Sequence, residues 1–78
     1  ARESVLQASV VRWIKLLGGY AIVTRPPGVE AGTPDVIGAL RGRALAIECK
    51  TLGRATELQE ARLAAWRAAG ARAGVVRP

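Results

Sequence analysis

Pro34-Asp-Val-Ile-Gly-Ala-Leu-Arg-Gly-Arg-Ala-Leu-Ala-Ile-Glu-Cys-Lys50 decides the fold. It reads as two short apolar strands folded back at Arg41-Gly42. Two such runs about a glycine-bearing turn are the mark of a β-hairpin, although Arg-Gly is not the favoured turn pair. If Leu40 faces Arg43, or Ala39 faces Ala44 across a wider loop, the numbers of facing residues sum to 83, and Asp35 stands opposite Glu48. Directly opposed residues of an antiparallel pair share a face, with Cβ atoms roughly 4.5–5.5 Å apart. The period of two puts Lys50 on the face of Glu48 and sends Cys49 to the other. One face therefore reads Asp35, Ile37, Ala39, Ala44, Ala46, Glu48 and Lys50, and the other Val36, Leu40, Leu45, Ile47 and Cys49. Both are largely apolar, so each should be covered, by a helix or by a partner subunit.

The hairpin thus brings two carboxylates and an amine to one point. Opposed like charges destabilise a strand pair, and both carboxylates cannot stay ionised at that range without a cation. A divalent metal resolves the conflict. Paired carboxylates completed by water suit Mg²⁺ or Mn²⁺ better than Zn²⁺. A protonated Lys50 cannot ligate such a cation, but it can orient a water or stabilise charge developing on a phosphate.

The chain has 78 residues, which is enough for one domain, spanning 1–78. Half of its residues are hydrophobic, with no Phe or Met and only two Trp, so the core is built from Ala, Val, Leu and Ile. A chain this short buries only about 60% of its unfolded surface, and a homodimer would add to that. The net charge is +6, from twelve Lys and Arg against six acids, which favours a polyanionic partner such as nucleic acid. No apolar run approaches the ~20 residues that span a bilayer, so no membrane partner is expected. One Cys and no His exclude a disulfide framework and a Cys/His zinc site. The lone Cys and the lack of a visible leader fit a reducing, cytoplasmic or nucleic-acid-associated intracellular setting rather than secretion. Cys49, alternating with Leu45 and Ile47, reads as buried filler.

Residues 3–17 read as a helix with Leu6, Val10, Trp13 and Leu17 on its inner face, ended by Gly18-Gly19. Three residues before Leu6, Glu3 falls in line with that face, where an acid could reach a metal at the sheet edge. A second reading makes Ser4 to Gln7 a capping box, with Glu3 a solvated charge just outside the helix. A strand over 20–25 follows, then a Pro- and Gly-rich loop over 26–34 holding Glu30. After the hairpin comes a connector over 51–55. Thr56 to Gln59 reads as the capping box of a second helix over about 57–69, closed by Gly70. Gln59 shares a face with Leu63 and Trp66, and a polar group on an inward face must find a partner. A last strand is expected over 72–77. The order is helix, three strands, helix, strand.

Three runs together carry a resemblance: Gly32-Thr33-Pro34-Asp35, Ile47-Glu48-Cys49-Lys50-Thr51, and Thr56 followed by Gln59. With the element order, they make the chain similar to the PD-(D/E)XK nuclease superfamily, and within it to the VRR-NUC (virus-type replication-repair nuclease) domain. The resemblance covers nearly the whole chain. It implies an α/β, restriction-endonuclease-like core with a mixed four-stranded sheet flanked by helices. It implies that Asp35 and Glu48 ligate Mg²⁺ or Mn²⁺, with the Cys49 backbone carbonyl as a further ligand. Lys50 would position or activate the attacking water, Gln59 would support Lys50 or the metal shell, and Glu3 would match an acid on the family's first helix. Cys49 departs mildly from the β-branched residue usual in the middle of Glu-x-Lys.

Members of this minimal size resemble Holliday-junction resolvases and form homodimers. The implied activity is metal-dependent endonucleolytic hydrolysis of DNA, branched DNA such as four-way junctions above all. The pool of phosphate contacts is Arg2, Arg12, Arg25, Arg54 and Arg62, with Arg41, Arg43 and Arg67. Three aromatics are too few for a single-strand stacking platform, so recognition by shape is expected. The competing reading is a non-catalytic nucleic-acid-binding module that keeps the fold, although such a module has no need of Asp35 opposite Glu48. In a purely structural domain, Glu48 and Lys50 would be an ordinary same-face ion pair.

Overall fold

The computed structural model describes residues 2–25 and 27–78. Strand β2 (Val36–Leu40) and strand β3 (Arg43–Cys49) pair antiparallel about Arg41-Gly42. Both turn residues have positive φ, 53° and 77°, as the two-residue hairpin turn with the right twist requires. An Arg in that conformation costs roughly 1–2 kcal/mol relative to the ordinary backbone regions. Every pair from Leu40↔Arg43 to Val36↔Ile47 keeps the sum of 83.

Strand β1 (Tyr20–Val23) pairs antiparallel with β2, from Tyr20↔Ala39 to Val23↔Val36. It stops two residues short of the expected end. Thr24 instead donates its N–H to the Asp35 carbonyl at 2.8 Å and its hydroxyl to the Pro34 carbonyl at 2.7 Å. Gly38 is required where β1 crosses it, since a Cβ there would lie 2.3 Å from the Tyr20 carbonyl oxygen. Strand β4 (Arg72–Val76) joins β3 in parallel, from Leu45↔Arg72 to Cys49↔Val76, and completes a mixed sheet in the order β1-β2-β3-β4. The sequence-based architecture is that of the structure.

Helix α1 (Arg2–Leu16) covers the face of the sheet that carries Val36 and Cys49. Its buried residues are Leu6, Val10 and Ile14, while Trp13 and Leu17 are 50% and 57% exposed. The expected stripe is therefore corrected: the core follows the i, i+4 row, and Ile14 rather than Trp13 faces the sheet. The Ser4 capping box is not formed either, because the helix already runs at Arg2 and Glu3 lies in its first turn.

Helix α2 (Glu57–Ala68) lies across the other face, over β3 and β4, with Leu63 fully buried. Full burial of a Leu contributes about 2 kcal/mol. The expected capping box is present: the Thr56 hydroxyl accepts from Gln59 N–H at 3.1 Å, and Gln59 Oε1 accepts from Thr56 N–H at 2.8 Å. Trp66 is only half-buried and borders an open groove with Tyr20, Ile22 and Ile37. Among the described residues, no helix is long and apolar enough to cross a membrane.

Candidate active site

The register carries Asp35 and Glu48 to the same place, at the ends of β2 and β3 away from the turn. Asp35 sits one residue before β2, and the Thr24 bonds to the Pro34 and Asp35 carbonyls hold its backbone. Its Oδ2 accepts the Cys49 N–H at 2.9 Å, so a β3 backbone donor fixes the side chain. Glu48 is 2% exposed, a buried carboxyl. Its Oε2 accepts from Gln59 Nε2 at 3.2 Å and stands 4.0 Å from Lys50 Nζ. Its Oε1 is buried and accepts no hydrogen bond from any described residue.

Glu48 is consequently hard to ionise, its pKa pushed from 4.5 up to about 8. Burial is the main cause. The Asp35 carboxyl, within hydrogen-bonding reach, and its charge add to it; Lys50 opposes it, and the charge of Glu3 raises it a little further. A buried acceptor left without a donor costs about 1–3 kcal/mol, more when charged. A fold that keeps such an atom beside a second carboxyl holds a site for a proton or a cation. The donor set is hard oxygen, with Glu48 Oε1 uncommitted, and fits Mg²⁺ or Mn²⁺.

Glu3 is half-buried in the first turn of α1, near enough for its charge to act on Glu48. Among the described residues, no three Asp, Glu or Cys side chains gather around one point as a metal-holding group. Glu3 thus stands apart from the Asp35–Glu48 pair. Gln59 joins the pair, and its second job as the cap residue fixes its amide: the oxygen faces Thr56 and the nitrogen faces Glu48. Cys49 is fully buried on the α1 side, its thiol pushed up to about 11, chiefly by burial.

Loop residues 29–33 line a shallow pocket of about 230 Å³ together with Thr24 and Asp35. Arg62 holds this loop, its Nε donating to the Ala31 carbonyl at 3.1 Å and standing 2.8 Å from Glu30 Oε1 in an ion pair. The sequence set out Arg62 as a phosphate contact and Glu30 as a loop charge; the fold joins them. Arg2, Arg25 and Arg54 lie at this end of the sheet, and Arg12 in the C-terminal half of α1, all exposed. A larger groove of about 560 Å³ lies beyond Lys50, bordered by Arg2, Val5, Trp13, Thr51 and Leu52; neither carboxylate lines it. Thr24 is the site residue that sequence reasoning missed. The β1–β2 register sets it opposite Asp35, but the long intervening loop hid that register.

A solved structure described as "VRR_NUC domain protein" superposes on this chain with a TM-score of 0.74. The match covers 96% of this chain and 76% of that one, at 28% sequence identity. The chain has the VRR-NUC fold. No family model matches the sequence, and no curated protein matches it. The likeness supports a nuclease domain in general terms. In this VRR-NUC-like domain, Asp35, Glu48 and Lys50 occupy adjoining strand ends, and Gln59 reaches them from the first turn of α2.

Proposed function

We propose that this VRR-NUC-like domain is a metal-dependent, structure-specific DNA endonuclease acting on branched DNA such as four-way junctions. The observation that carries this reading is the buried, donorless Glu48 Oε1 beside the Asp35 carboxyl. A structural ion pair does not require it, and a phosphate-binding module is hindered by it.

Asp35 and Glu48 would hold Mg²⁺ or Mn²⁺, with the Cys49 carbonyl as a further ligand and Glu3 acting from a greater distance. When bound, the cation polarises the scissile phosphate and lowers the pKa of a water. Gln59 and the Cys49 N–H orient the two carboxylates, so little reorganisation is needed as the reaction proceeds. Lys50, whose side chain is only 14% exposed, would orient the attacking water and balance charge on the pentacoordinate phosphate. Arg2, Arg12, Arg25 and Arg54 would bind backbone phosphates, as would the remaining donors of Arg62. Such contacts read shape rather than sequence. A homodimer is part of the proposal, because paired cuts across a junction need two sites. The exposed Tyr20 and Ile22 beside Trp66 support a buried interface.

The test is cleavage of a labelled four-way junction beside a linear duplex of matching arms, with Mg²⁺ or Mn²⁺. Chelator and Lys50→Ala serve as controls. Paired, metal-dependent cuts confined to the junction, lost in Lys50→Ala, are expected. Cleavage of both substrates would discard junction specificity. Binding without cleavage under either metal would leave only the binding module.

A further inference from the structure

The charges of this chain are sorted along the strand axis. All six acids lie at the site end: Glu3 and the pair Glu57 and Glu60 in the first turns of the two helices, Glu30 and Asp35 on the loop side, and Glu48 near the end of β3. Six cations accompany them there, namely Arg2, Arg25, Lys50, Arg54, Arg62 and Arg77, so that end is nearly neutral. Arg12 stands between the two ends, in the C-terminal half of α1. The opposite end gathers Lys15 in the last turn of α1, Arg41 in the hairpin turn, Arg43 opening β3, Arg67 in the last turn of α2, and Arg72 opening β4. Among the described residues no acid stands at that end. Five of the six net positive charges are therefore concentrated there.

Two of these cations answer the negative ends of the helices, Lys15 and Arg67. The other three have no such explanation. Arg43 is held in place by donating its Nε to the Gly70 carbonyl at 3.2 Å, which leaves its terminal nitrogens free to bind. Arg72 lies one strand away on β4, since it pairs in register with Leu45. Arg41 sits at φ 53°, where Asn or Gly would fold at less cost. An exposed cation held in an unfavourable conformation, among others with no carboxylate, has the character of an anion site.

We propose that Arg41, Arg43 and Arg72 form a phosphate platform that grips the backbone of a duplex arm leading away from the catalytic end. Arg43 and Glu48 are five steps apart along β3, an odd spacing that puts them on opposite faces of the sheet. The direct separation along the strand is about 17 Å at ~3.4 Å per residue, and DNA must pass round the helices that cover the sheet. The backbone of one DNA strand advances ~3.4 Å per phosphate, so the grip falls more than about five base pairs from the scissile bond. The offset rests on the nuclease reading; the platform itself does not. Its contacts carry no base information and add length discrimination to shape recognition.

Binding of a duplex of about twenty base pairs is measured between about 50 and 200 mM salt. The Lys50→Ala protein is compared with the same protein also carrying Arg41→Asn and Arg72→Thr. Asn suits the turn and Thr suits the strand, so both proteins should melt alike. Loss of two phosphate contacts makes the slope of log K against log salt shallower by about two. An unchanged slope, or a parent that does not bind DNA, overturns the platform. A label localises it: Arg41→Cys offers a reactive thiol while Cys49 is fully buried. An iron chelate tethered there, on the chain that retains Lys50, should nick DNA at one fixed distance, more than about five base pairs, from the protein's own cut. Scattered nicks, or none, overturn the assignment. A slope shift without cleavage under any metal retains the platform and rejects the nuclease.

Discussion

Glu48 and Cys49 are neighbours in β3, both sealed from solvent at 2% and 0% exposure, yet they face opposite sides of the sheet. Burial raises both groups, the carboxyl to about 8 and the thiol to about 11. On the α1 side, the thiol packs in a cluster with Leu6, Val10 and Val36 and is left inert. On the α2 side, the carboxyl meets Asp35, Lys50 and Gln59. The same desolvation leaves a polar, ionisable cluster on one face and packing on the other. The partners decide which, not the burial.

The sharpest way to break this contrast is on the polar face. Glu48→Gln keeps the shape and removes the ionisable oxygen. Cleavage of a branched substrate should fall at least about a hundredfold. A near-normal rate would place the chemistry elsewhere.

The next effect is on stability against pH. The folded state holds the Glu48 proton more tightly than the unfolded chain does, with a pKa of about 8 against 4.5. Between those values the native state binds the extra proton, so metal-free stability should fall as pH rises across that window. Melting temperatures across the pH range check this. Glu48→Gln should flatten the fall, and so should saturating Mg²⁺ or Mn²⁺, which favours the ionised carboxylate. A curve that rises instead would show that Glu48 folds as a stabilised anion.

On the apolar face the expected effects are structural. Cys49→Ser buries a hydroxyl and should cost about 1–3 kcal/mol while leaving the metal response of the folded protein intact. Loss of metal binding without loss of stability would erase the distinction between the faces. The smallest effect belongs to Gln59→Ala, which removes half of the capping box. It should cost about 1 kcal/mol, or roughly 4–8 °C in Tm for a domain of this size. It should also lower cleavage by more than that loss explains, because Glu48 Oε2 loses its donor.

The carboxylate pair was legible because a hairpin is local. Once Arg41-Gly42 is taken as the turn, counting outward sets Asp35 opposite Glu48 with no knowledge of the rest of the chain. Gln59 was legible for a similar reason, since a capping box and a helical face meet in one residue. The rotation of α1 was not. Trp13 and Ile14 are adjacent, and which of them faces the sheet is set by the surface beneath, where Ile14 packs near Gly19 and Leu40. Thr24 and the Arg62–Glu30 pair depend on how a long loop returns to the sheet, and neither period nor composition reports that. The sorting of charge between the two ends was present in the sequence, but it appears only once the helices are known to run antiparallel to β3.

The amide of Gln59 ties Glu48 to the first turn of a helix. Helix ends open at lower free energy than the body of a fold. Each time that turn frays, the carboxylate loses its donor while the sheet stays paired. On heating, turnover should therefore fade before ellipticity does, and the temperature at which this domain stops working should lie below the temperature at which it unfolds.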